Sequence, residues 1–183
     1  MLKKTMQLSG ILLAICVAMA LLLGVTNEAT KNTIALRQQE EKIAAMSEVI
    51  SAKNYTLLKS VPDDYELYAA FNDYDLIGYA VSLSESGYGG KINMMIGINA
   101  DRTVSGISIT DMSETPGLGD NAKNPEFTDM FKKLSADEAK LTADGGKIQA
   151  LSGATVTSKA VTSGVQRAIK IVEEELAGGK SNE

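Results

Sequence analysis

Residues 91–99 read Lys-Ile-Asn-Met-Met-Ile-Gly-Ile-Asn. Ile92, Met94, Ile96 and Ile98 recur at every second position. Successive side chains of a strand point to opposite faces, so this spacing predicts a half-buried antiparallel strand with one oily side. The flanks extend the pattern. Upstream, Tyr65–Phe71 and Leu76–Leu83 read as strands joined by a turn at Asn72–Asp75. Ser86-Gly87-Tyr88-Gly89-Gly90 reads as a loop into the 91–99 strand. Its glycines suit a turn without further purpose, and Tyr88 is placed to edge a ligand. Downstream, Ala100–Thr103 turns the chain into a strand at Val104–Ile109.

A sheet with one apolar face needs a cover. Pro125–Leu134 sets Phe127, Met130, Phe131 and Leu134 on one side of a short helix, with Pro125 suited to its first turn. Lys147–Leu151 reads as a last strand. Ser158–Leu176 is a strong helix with a stripe of Val161, Val165, Ala168, Ile169, Val172 and Leu176, stopped by Gly178-Gly179. The expected fold is α+β, a mostly antiparallel sheet covered by helices.

The N-terminal part has a different character. Thr5 to Thr26 carries no charge over 22 residues. As a helix that is roughly 33 Å, enough to cross a hydrocarbon core of about 30 Å. A cleaved signal would need a small-residue cleavage site, and Ala18-Met19-Ala20 lies in mid-run, so an uncleaved anchor over 1–28 is expected. With only a short head before it, the anchor is expected to leave the N-terminus in the cytoplasm and the remainder outside. Glu28–Lys59 reads as a polar helix with Ile43, Met46 and Ile50 at helical spacing, hence a stalk over 29–60 ended by Pro62-Asp63-Asp64. The domain is then 61–178, with a flexible tail at 179–183.

Composition narrows the chemistry. The chain of 183 residues has a net charge of −5, no histidine, and a single cysteine, Cys16, within the apolar run. Ligands for histidine-bound haem, iron–sulfur clusters or structural zinc are lacking, as is a Cys/His nucleophile pair. Scattered basic residues argue against nucleic acid. Redox chemistry here requires an organic cofactor.

The segment best suited to hold one is Leu151-Ser-Gly-Ala-Thr-Val-Thr-Ser158, between the last expected strand and the long helix. Small residues let a ligand approach the backbone, and the helix start offers unpaired N–H groups to a phosphate. Hydroxyls at a helix start also serve as ordinary caps. That accounts easily for one of them and less well for Ser152, Thr155 and Thr157 together.

Ser152-Gly153-Ala154-Thr155-Val156-Thr157 resembles the flavinylation motif of the FMN-binding domain shared by the G subunit of the Rnf ion-translocating oxidoreductase complex and the C subunit of the sodium-pumping NADH:quinone reductase. The resemblance implies FMN held through a phosphoester, installed by a flavin transferase, with Thr157 as acceptor and Ser152, Gly153, Ala154 and Thr155 around it. Glu114-Thr-Pro-Gly-Leu-Gly-Asp120 resembles the family's second signature, which implies that Glu114, Thr115, Gly117, Leu118 and Gly119 lie against the flavin. By itself Pro-Gly is a type II turn. Where the family pattern has Asp three residues before the serine, this chain has Gln149. The implied role is a membrane-bound electron carrier of an Rnf-type complex, with its other subunits and the membrane lipid as partners. The quinone-reductase reading, and a membrane-anchored module binding flavin or another phosphate ligand non-covalently, are the alternatives.

Overall fold

The 91–99 strand, β4 (Lys91–Asn99), forms with the expected bounds and lies inside a five-stranded antiparallel meander ordered β1-β2-β3-β4-β5. The others are β1 (Asn54–Val61), β2 (Tyr65–Asn72), β3 (Asp75–Ser86) and β5 (Val104–Met112). The helices are α1 (Leu2–Val49), α2 (Pro125–Thr128) and α3 (Thr155–Gly178). The structure is a computed structural model, and it describes residues 2–178. The tail at 179–183 lies outside the described residues.

Two units are distinguished, Met1–Lys42 and Ile43–Glu183. In the first, Ser9–Lys31 is a 23-residue stretch of α1 long and apolar enough to cross a membrane. Its Ile11, Leu12, Leu21, Leu22 and Leu23 are exposed, as lipid-facing side chains would be.

In the second unit both faces of the sheet are covered. One face carries Leu67, Val81, Leu83 and the β4 stripe of Ile92, Met94, Ile96 and Ile98, all buried in one core with the α3 stripe, Phe127, Phe131 and Ile148. The α3 stripe is as expected: Val161, Val165, Ala168, Ile169 and Val172 are buried, and Leu176 is partly so. At about 1.5–3 kcal/mol for each fully buried aliphatic side chain, this face is the main source of the unit's stability. Phe127 and Phe131 close one end, their rings edge to face at 5.5 Å.

The other face is covered by the end of α1. Ala45, Met46, Val49 and Ile50 pack on Ala70, Ala80 and Met95. Close approach is possible because Ala80, Gly97 and Gly106 lie opposite one another across β3, β4 and β5, a strip of small residues. A Cβ on Gly97 would sit 2.4 Å from the carbonyl oxygen of Val49, so only glycine fits there.

Several expectations need correction. The stalk helix does not run to residue 60. α1 ends at Val49, and Asn54–Val61 is an edge strand paired with β2. Most of its side chains are exposed, so it lacks the apolar alternation that betrays a half-buried strand. Pro62-Asp63-Asp64 is therefore a hairpin turn, with Asp63 at φ 61°. Lys147–Leu151 is no sheet strand. Ile148 makes one isolated parallel bridge to Leu141, and the backbone hydrogen bonds of Lys147 and Ile148 go to the 138–142 loop. The short helix at Pro125 stops at Thr128 and tightens into a 3-10 turn, Asp129–Phe131.

Candidate functional site

β5 runs past its expected end to Met112 and delivers the next residues to the mouth of α3. There Thr115-Pro-Gly-Leu118 closes a turn, with the Leu118 N–H donating to the Thr115 carbonyl at 3.1 Å. Gly117 has φ +75°, the left-handed conformation that a type II turn demands at its third residue.

Glu114 joins three segments. Its Oε1 accepts the Tyr88 N–H at 2.9 Å and the Gly89 N–H at 3.1 Å. Its Oε2 accepts the Thr157 hydroxyl at 2.8 Å. The loop at 86–90 is thus fastened to the ETPGLG segment, and both are fastened to α3. Glycine makes this fit: a Cβ on Gly87 would come 2.2 Å from Glu114 Oε1, and one on Gly119 would come 2.7 Å from both Glu114 Oε2 and Thr157 Oγ1. The other end of the 86–90 approach is held by Arg167 on α3, which pairs with Glu85 at 2.9 Å and also with Asp64. Burial raises the Glu85 carboxyl above its ordinary range.

The start of α3 is tied down from within. Ser158 Oγ accepts the Leu151 N–H at 2.9 Å and donates to the Ala154 carbonyl at 3.0 Å. The residue before the helix is Ala154, which has no side-chain oxygen, so the expected cap by a hydroxyl at that position is replaced by this Ser158 clasp. The Ser158 N–H bonds back to the Ala154 carbonyl. The N–H groups of Thr155, Val156 and Thr157, one turn earlier, have no carbonyl within the helix to meet.

Beside them opens a cleft of about 490 Å³. Gly153, Ala154, Thr155 and Val156 form one wall; Glu114, Thr115, Leu118 and Gly119 form the other, and Tyr88 stands at the edge. The volume is that of a small-molecule site. Tyr88 is 75% exposed and Val156 51%, large apolar surfaces facing outward with no protein cover. Among the described residues no cluster of His, Cys, Asp or Glu is suited to a metal.

Seven of the expected site residues therefore meet at one cleft: Glu114, Thr115, Leu118, Gly119, Gly153, Ala154 and Thr155. Gly117 shapes the turn, and Ser152 is exposed outside the lining. Thr157, the expected acceptor, is not among the residues lining the cleft: it is 1% exposed, and its hydroxyl donates to Glu114 Oε2. Thr155, two residues earlier and so on a different side of the helix, is exposed and lines the cleft. Val156 was not foreseen as a site residue. Its signal was present, an apolar side chain off the helix's buried stripe.

The fold is that of an FMN-binding domain. Residues 87–170 match the family described as the FMN-binding domain. The chain is 34% identical to the G subunit of the Na+-translocating ferredoxin:NAD+ oxidoreductase complex of Acetobacterium woodii, over 93% of each chain. It is 32% identical to the G subunit of the ion-translocating oxidoreductase complex of Methanosarcina acetivorans, covering 84% of this chain and 86% of that one. Among solved structures, the C subunit of the Na+-translocating NADH-quinone reductase from Parabacteroides distasonis shares the fold, with a TM-score of 0.51 at 23% identity over 66% of this chain and 75% of that one. The chain belongs to the family of G subunits of ion-translocating oxidoreductase complexes.

Proposed function

We propose that this chain is the FMN-carrying electron-transfer component of a membrane-bound, ion-translocating ferredoxin:NAD+ oxidoreductase. The family match over nearly the whole chain supports the role. FMN supplies the redox chemistry, accepting and passing on electrons. The protein's residues supply attachment and placement.

The cleft suits FMN in three respects. The unpaired N–H groups of Thr155, Val156 and Thr157 and the positive end of α3 favour a phosphate at that wall. Gly153, at φ +73°, lets the backbone come close. Leu118, Val156 and Tyr88 present apolar surface of the kind a flat ring system covers.

Attachment is proposed as a phosphoester on Thr155 Oγ1. The observation that carries this choice is exposure: Thr155 faces the cleft, whereas the Thr157 hydroxyl is committed to Glu114. A flavin transferase is the required partner for that bond. The apolar stretch Ser9–Lys31 supports membrane association, and we propose an anchor over 1–28, a domain outside the cytoplasm, and docking on the complex's other subunits.

Co-expression with a flavin transferase followed by a denaturing gel tests the bond. Flavin fluorescence should stay with the native band and vanish in Thr155→Ala. A dark native band would mean non-covalent binding at most, and a bright Thr155→Ala band would move the ester elsewhere.

A further inference from the structure

Among the described residues Glu114 is the only charged one in the cleft's lining. All three of its hydrogen-bond donors are neutral: two backbone N–H groups and one hydroxyl. Among the described residues it makes no ion pair within 4 Å. The nearest lysine in sequence, Lys123, pairs with Asp120 at 3.5 Å, and Arg167 is taken by Glu85 and Asp64. Such an arrangement fixes the carboxylate in place and leaves its net charge uncancelled. The residue is half-buried, so water screens it incompletely.

We propose that Glu114 is a potential-setting residue, a fixed negative charge in the flavin cleft that makes reduction of the bound flavin harder. The inference rests on the reading of the cleft as the FMN site. Where two electrons enter with only one proton, the reduced flavin would carry one more negative charge than the oxidised form, and the carboxylate would disfavour it more. The same carboxylate orients the Tyr88 loop and the Thr157 turn. Charge and placement are separable by substitution. Glu114→Gln keeps an oxygen for the two N–H groups and turns an amide toward Thr157, whose hydroxyl oxygen can accept. Glu114→Asp keeps the charge and shortens the reach.

The test is a spectroelectrochemical titration of the full chain, co-expressed with its transferase and purified in detergent, alongside the intact mass of each variant. The expected outcome is a flavin midpoint potential higher in Glu114→Gln than in the native protein, with Glu114→Asp close to native. A Glu114→Gln potential equal to the native one overturns the proposal. So does an equal shift in Glu114→Asp, because loss of placement would then explain both. Should Glu114→Gln take up no flavin, Thr115→Lys decides: it sets a cation in the same wall and leaves the Glu114 hydrogen bonds untouched. An upward shift supports the proposal, and an unmoved potential overturns it. A native protein without a flavin adduct by mass would instead contradict the proposed attachment, a separate failure.

Discussion

Replacing Thr157 by valine separates the two roles open to this residue. The change is nearly isosteric, so the buried volume under Gly119 is kept while the donor to Glu114 Oε2 is lost. A hydrogen bond to a charged acceptor contributes about 1.5–3 kcal/mol, and an acceptor left without its partner is the larger part of that cost. Glu114 is half-buried and keeps its bonds to Tyr88 and Gly89, which favours the lower half of the range. For a unit the size of Ile43–Glu183 this corresponds to a fall in Tm of roughly 5–8 °C. Thermal unfolding of the full chain in detergent, followed by circular dichroism, reads the shift. Thr157→Ser, which keeps the donor, should lie between native and valine. Flavinylation should persist in both. The reasoning is refuted by a Thr157→Val protein that melts with the native one and carries no flavin, since Thr157 would then be the acceptor.

The small-residue strip under α1 makes Gly97→Ala destabilising although alanine is the better residue for a regular strand. Its Cβ meets the Val49 backbone, which has no rotamer to yield, so overpacking of about 1–3 kcal/mol is expected from urea titration, and a raised midpoint would count against the packing described. Acid should weaken the 135–148 loop in a defined window. Lys147 at 2.6 Å, followed by the Ser135 N–H and hydroxyl, lowers the Glu138 pKa from 4.5 to about 2. A depressed carboxylate stabilises the fold above its unfolded pKa and loses that contribution as pH falls. The native advantage over Glu138→Gln in urea should therefore be full above pH 4.5 and fade as pH drops toward 2; an advantage that does not change with pH would remove the ion pair from the account.

The sheet was legible because its strands alternate. KINMMIGIN needs no partner to be recognised, and the α3 stripe from Val161 to Leu176 reads equally well. β1 was hidden by its place at the edge, where exposed Leu57, Leu58 and Lys59 follow no period. Ile43, Met46 and Ile50 did announce an apolar face, but nothing local says that a sheet receives it; Gly97 and Gly106 disclose that only once the strands are paired. The cleft's two walls were legible as motifs. The allocation of hydroxyls was not. With the helix starting at Thr155 and not at Ser158, Thr155 and Thr157 lie about 200° apart around it, one exposed in the cleft and the other buried on Glu114.

The proposed ester joins a flavin phosphate to the exposed Thr155 hydroxyl in the first turn of α3. Mass spectrometry of the chain isolated from its own membrane, intact and then as fragments, tests it most directly. The expected mass is that of the polypeptide plus one FMN less one water, with the added mass on Thr155. The bare polypeptide mass, or an adduct confined to Thr157, would contradict it.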